Sequence, residues 1–189
     1  TIFVAPAFVG GGTFWWDALA PSEGGGLDPA VRARALDAWR GVDAEVRVRA
    51  AEIGVAASPL AEHARCATEG ELAAAAASHP GLVYGSHTWG HPNLARLRQD
   101  ELAAELARPL AWLRERFARV SLVLSYPYGL ATTETERAAA AAGYRAAVRI
   151  DGGWMPLAPS NVFALPRLNV PAGVTSSGFL LRAAGVVGG

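Results

Sequence analysis

Leu82-Val83-Tyr84-Gly85-Ser86-His87-Thr88-Trp89-Gly90-His91-Pro92-Asn93-Leu94 leads from a short apolar run into a loop that holds two of the chain's four histidines, four residues apart. Gly90 and Pro92 keep that loop out of regular structure. Downstream, Leu102, Leu106, Leu110, Leu113 and Phe117 recur every three to four residues, which predicts an amphipathic helix bent at Pro109. Val120 to Leu124 then reads as a strand that delivers the chain to Tyr126-Pro127-Tyr128-Gly129. Strand, helix and strand in this order predict parallel strands joined by crossover helices, in a sheet or a barrel. Functional residues of such folds gather on the loops after the carboxyl ends of the strands. His87 and Tyr128 both fall at such ends.

The pattern extends both ways. Thr1 to Val9 reads as a buried strand ending at Gly10-Gly11-Gly12, followed by a large apolar cluster at Phe14, Trp15 and Trp16. Core packing, or a cover over a missing strand, is the expected use of that cluster. Asp28-Pro29 opens a helix that Gly41 closes. Val42 to Ile53 fits a strand by alternation and a helix by composition. Thr68 and Glu71 form a capping box ahead of Leu72 to Ser78, and His79-Pro80-Gly81 stops that helix. Thr133 with Glu136 predicts another capped helix, ended by Gly143. A strand from Arg145 to Ile150, a loop through Trp154, a short strand near Phe163 to Leu165 and a small helix from about Ser177 complete the chain.

Among 189 residues, 51% hydrophobic, there is enough apolar area for one sizeable core, although much of it is alanine. One domain over 1–189 is the expectation. Seventeen Lys and Arg balance seventeen Asp and Glu, so no net field draws the chain to nucleic acid or an anionic membrane. Cys66 is the only cysteine, which excludes an internal disulfide and any CxxC site. Thr1 to Val9 lacks a basic leader and is too short to span a bilayer, which favours the cytoplasm while leaving the compartment open.

Two imidazoles four apart can converge on one metal ion, and a divalent ion can activate water at neutral pH. Chance gives this spacing in about one chain in twenty with four histidines, and the alternative is a pair of solvated or hydrogen-bonded loop histidines. A metal centre needs a third ligand, usually a carboxylate, and no neighbouring carboxylate stands out. Asp17 and Asp151 are the nearest candidates. His63 and His79 have no partner pattern and take no role.

The run Leu82 to Leu94, the turn Tyr126 to Gly129, Ala142-Gly143-Tyr144 and Leu165-Pro166-Arg167-Leu168-Asn169-Val170 together resemble, in order, the NodB-homology polysaccharide deacetylases of carbohydrate esterase family 4. The resemblance implies an α/β fold, a distorted (β/α) barrel, and hydrolysis of N-acetyl or O-acetyl groups on sugars with zinc or a related divalent metal. It makes His87 and His91 metal ligands and the Tyr128 backbone N–H an oxyanion donor. Trp89 and Tyr126 would lie on the substrate side, with Trp154 a weaker candidate for stacking. The family's Thr-Phe-Asp-Asp run, which brings the third ligand and the base, is missing. The expectation is a domain lacking its first βα unit, with an open barrel edge prone to self-association. No histidine follows His91, so Arg167 is either a substitute electrostatic group or an ordinary ion-pair residue.

Three functions compete at this level. The first is a deacetylase of acetylated carbohydrate, impaired as it stands. The second is a deacetylase-like binding or interaction module without turnover, and the third an amidohydrolase of small non-sugar amides.

Overall fold

The structure is a computed structural model that describes residues 1–21, 26–60, 64–170 and 173–186; His63 lies outside them. Its centre is a five-stranded sheet, β1 (Ile2–Val4), β2 (Tyr84–Ser86), β3 (Val120–Ser125), β4 (Ala146–Gly152) and β5 (Leu165–Arg167), in that spatial order. Every neighbouring pair is parallel. Sequential order without a reversal is the winding of a barrel wall, not of a doubly wound sheet with a switch point. The wall is open: among the described residues β1 pairs only with β2, and β5 only with β4.

The first strand is shorter than its apolar run suggests. Pro6 has no N–H to give to a ladder, and Pro6–Phe8 forms a 3₁₀ turn instead. Between β1 and β2 come α1 (Trp15–Ala18), α2 (Pro29–Asp37), α3 (Asp43–Glu52) and α4 (Glu69–Ser78). The Asp28 carboxylate caps α2 by accepting from the N–H groups of Ala30 and Val31. The segment that fits either structure by sequence is α3, because Val46 and Ala50, one turn apart, are both fully buried against Trp15 and Trp39. The Thr68–Glu71 capping box opens α4 as expected.

From β2 the chain crosses through α5 (Gln99–Arg116) to β3, and from β3 through α6 (Thr133–Ala141) to β4. Thr132 rather than Thr133 caps α6, its Oγ1 accepting the Thr135 N–H at 3.3 Å. The passage from β4 to β5 runs through a loop instead of a helix, and α7 (Ser176–Ala183) follows β5.

The packing separates into three cores. Leu102, Leu106 and Leu110 of α5 meet Leu124, Ala139, Tyr144 and Ala147 on one side of the sheet. Val4, Leu72, Tyr84, Leu113 and Phe117 close the side near α4. The third, Trp15, Leu19, Ala35, Trp39, Val46 and Ala50, belongs to the α1–α3 segment itself and packs against Tyr128. That segment therefore lies over the carboxyl end of β2 and β3, where both loops of interest emerge. No helix among the described residues is long and apolar enough to cross a membrane.

Candidate metal and substrate site

The loop after β2 is folded tightly on itself. The His87 N–H extends the strand pairing by donating to the Val4 carbonyl at 2.9 Å. Thr88 and His91 then take left-handed backbone, with φ of 64° and 56°, a conformation that side chains with a Cβ seldom adopt. The Thr88 Oγ1 accepts the His91 N–H at 3.0 Å and closes the turn. As a result the two rings meet edge to face, with Nε2 atoms 3.0 Å apart.

The His87 tautomer follows from its partner. The Ser125 carbonyl, 2.7 Å from Nδ1, can only accept, so Nδ1 carries the proton and Nε2 presents a lone pair toward His91. A backbone carbonyl holding the far nitrogen is the usual support of a metal-binding imidazole. Ligands about 2.0–2.1 Å from one tetrahedral ion lie about 3.3 Å from each other, so the pair needs only a small opening to share one. The donor set fits two of the ligands of a divalent metal. Among the described residues no third His, Cys, Asp or Glu joins them. Asp17 sits on α1, where burial raises its carboxyl, and it acts on Cys66. Asp151 is exposed on β4, and His79 is exposed at the end of α4 with its ring against the Ala75 carbonyl.

Both imidazoles are neutral at pH 7. Burial pushes His87 down to about 4, against the Ser125 bond, with a smaller contribution from the Arg167 charge. Burial, then the neighbouring His87, holds His91 well below the ordinary range. Neutral imidazole is the ligand form, so these shifts favour metal over proton.

Aromatic rings wall the pair. Phe14 and Trp16 stack with centroids 4.4 Å apart and lie 5.2 and 4.8 Å from the His91 ring, while Tyr128 meets it edge-on at 4.7 Å. The Phe14–Trp16 cluster thus faces the imidazoles, a role the sequence reading did not give it. Nothing local marked it, since the contact spans the whole α1–α4 crossover.

Tyr128 also occupies left-handed backbone, φ 58°, in the turn after β3. Its hydroxyl accepts from the Trp15 indole N–H at 3.0 Å and donates to the His91 carbonyl at 3.2 Å, tying the two loops and α1 together. Burial raises its phenol above the ordinary range.

The other expected contacts fall elsewhere. Tyr126 is 1% exposed, with its hydroxyl on the Phe163 carbonyl, so its side chain supports the turn from within the core and has no surface for a sugar. Trp89 turns toward α5, where the Arg108 guanidinium lies 4.0 Å over its ring. Phe14 and Trp16 lie beside the His91 ring. Arg167 bonds the Arg149 carbonyl and makes no ion pair among the described residues, and burial lowers its guanidinium. Trp154 is 58% exposed on the β4–β5 loop.

A sequentially wound parallel wall with an imidazole pair on the loop after β2 defines a barrel-type α/β fold. Residues 61–147 match the polysaccharide deacetylase family, so the NodB-type resemblance holds over the segment that carries His87, His91 and the Tyr128 turn. The fold is similar to that of the Streptococcus pyogenes deacetylase PplD, solved in complex with acetate, with a TM-score of 0.55 and 18% identity over 82% of this chain and 78% of that one. It is similar at the same TM-score, 0.55, to the Bacillus anthracis protein BA0330, a proposed polysaccharide deacetylase, with 15% identity over 61% of this chain and 36% of that one. No curated protein matches the sequence significantly.

Proposed function

We propose that this chain is a single deacetylase-like domain whose site binds a divalent metal such as zinc and removes acetyl groups from N-acetylated or O-acetylated sugars. The observation that carries the reading is the His87–His91 pair, with Nε2 atoms 3.0 Å apart and one ring locked by the Ser125 carbonyl. When bound, a divalent ion supplies a Lewis acid for the acetyl carbonyl and lowers the pKa of water. The chain's own part is to hold two neutral imidazoles in place and to keep bulk water off His91 with Phe14 and Trp16. The backbone N–H of Tyr128, aimed by its left-handed turn, would stabilise negative charge on the acetyl oxygen. Arg167 adds positive potential to the same region.

The second reading, a module that holds carbohydrate without turnover, is favoured by the lack of a third ligand group beside the imidazoles among the described residues. Metal binding and acetate release separate the two. Zinc should bind weakly to this chain, and His87→Ala or His91→Ala should each lower its affinity at least about tenfold in a competition titration with a chromogenic chelator. Zinc affinity indifferent to both substitutions would remove the metal site. Acetate release from an N-acetylated oligosaccharide should be slight. Appreciable release, lost in His87→Ala, would mean that the chain encodes its own general base.

The open β1 edge supports self-association as a further property, since Ile2 is 45% exposed and the outer side of β1 has no strand beside it among the described residues. Sedimentation velocity should show a concentration-dependent dimer that Ile2→Lys weakens. A monomer at all concentrations would refute the idea.

A further inference from the structure

Two residues separate the strained positions Thr88 and His91, and both are held by one carboxylate from α5. Glu105 Oε2 accepts the Trp89 N–H at 2.9 Å and the Gly90 N–H at 2.8 Å. Burial raises the Glu105 carboxyl, and the loop N–H groups and then the Thr88 hydroxyl, the same one that receives the His91 N–H, act against that rise. Gly90 eases the approach: a Cβ there would lie 3.3 Å from Glu105 Oε1, a tight contact. Next on the helix, Arg108 covers the Trp89 ring, so α5 grips the loop by backbone and side chain.

We infer that Glu105 is the positioning residue of the imidazole pair, its carboxylate holding the 88–91 backbone in the left-handed turn that brings His91 onto His87. The inference rests on the metal-site reading above for its purpose, though not for its geometry. Left-handed backbone at a threonine and a histidine persists only where surrounding bonds over-determine it. Without the carboxylate the Gly90 N–H loses its acceptor, and the Trp89 N–H keeps only the Glu105 backbone carbonyl at 3.1 Å. The loop then relaxes toward ordinary φ, and the His91 ring swings away from His87 and from its aromatic wall.

The test compares wild type with Glu105→Ala and Glu105→Gln, the latter keeping an oxygen that can accept from both loop N–H groups. Leu72→Ala, in the separate core beside α4, serves as the control for general loosening. Two measurements are made: zinc affinity by competition, and reactivity of each histidine in the metal-free protein toward diethyl pyrocarbonate, mapped by mass spectrometry. Glu105→Ala should weaken zinc about 10–100-fold and make His91 react at the rate of exposed His79. Glu105→Gln should restore both to within about threefold of wild type, and Leu72→Ala should leave His91 protected. A His91 that stays protected in Glu105→Ala overturns the inference, as does equal reactivity in the alanine and glutamine variants. If wild type fails to bind zinc while Glu105→Ala still exposes His91, the metal reading falls and the positioning role stands.

Discussion

Replacing Gly129 by alanine will lower the stability of the folded chain by more than about 3 kcal/mol, measured as a shift in urea unfolding. Gly129 follows Tyr128 in the turn after β3 and sits at φ 71°, so any Cβ there is strained by conformation alone. Space makes it worse. An added Cβ would collide with Ile150 Cγ2 and lie 2.9 Å from the Ile150 backbone nitrogen. Trimming the side chain in an Ile150→Ala background relieves the first contact and leaves the second, because the backbone of β4 cannot withdraw from the sheet. The double variant should therefore recover only part of the loss. The same turn aims Tyr128 at His91, so the defect should also disturb the imidazole pair, visible as diethyl pyrocarbonate reaction at His91. A loss below about 1 kcal/mol would show that this turn is not constrained as described.

Acidification should begin to destabilise the protein as pH falls below about 6.5. The His87 imidazole takes up a proton near 6.5 when unfolded and only near 4 when folded. As pH falls through this window the unfolded state binds the proton first, so stability is full above about 6.5, declines steadily, and loses nothing further from this group below about 4. The shift corresponds to about 3 kcal/mol, less whatever the ring's partial solvent access removes, and His91 acts in the same direction. Urea midpoints at pH 7, 6, 5 and 4.5 should fall in order, with a shallower slope in His87→Gln. A wild-type midpoint unchanged down to pH 5 would mean the rings are not buried neutral. Zinc, where it binds, should oppose the same decline, since protons and metal compete for Nε2.

What could be read from the sequence was local. The Thr68–Glu71 capping box and the Asp28 cap satisfy backbone groups within three residues of themselves, so their residue types announce them. The α6 start was off by one because Thr132 and Thr133 are equally able to cap, and the choice rests on which hydroxyl reaches the Thr135 N–H. For Val42 to Ile53 the alternation was too weak to decide. Burial of Val46 and Ala50 against two tryptophans decided it. Tyr126 and Trp89 are substrate candidates by sequence because they neighbour the motifs. A residue next to a site in sequence points wherever its backbone turns it, and here that is the core beneath the turn and the flank of α5.

From the order of residues alone come the parallel α/β class, the strand ends that carry His87 and Tyr128, and the deacetylase resemblance, because periodicity, caps and motif spacing act over a few residues at a time. Only the tertiary structure decided that Phe14 and Trp16 wall the imidazoles, that the Ser125 carbonyl selects a tautomer, and that Glu105 grips the loop between the two rings. Those contacts join residues that are 15 to 77 positions apart. Such distances are closed by the packing of whole elements against each other, and no local preference records which side chains that packing will bring face to face.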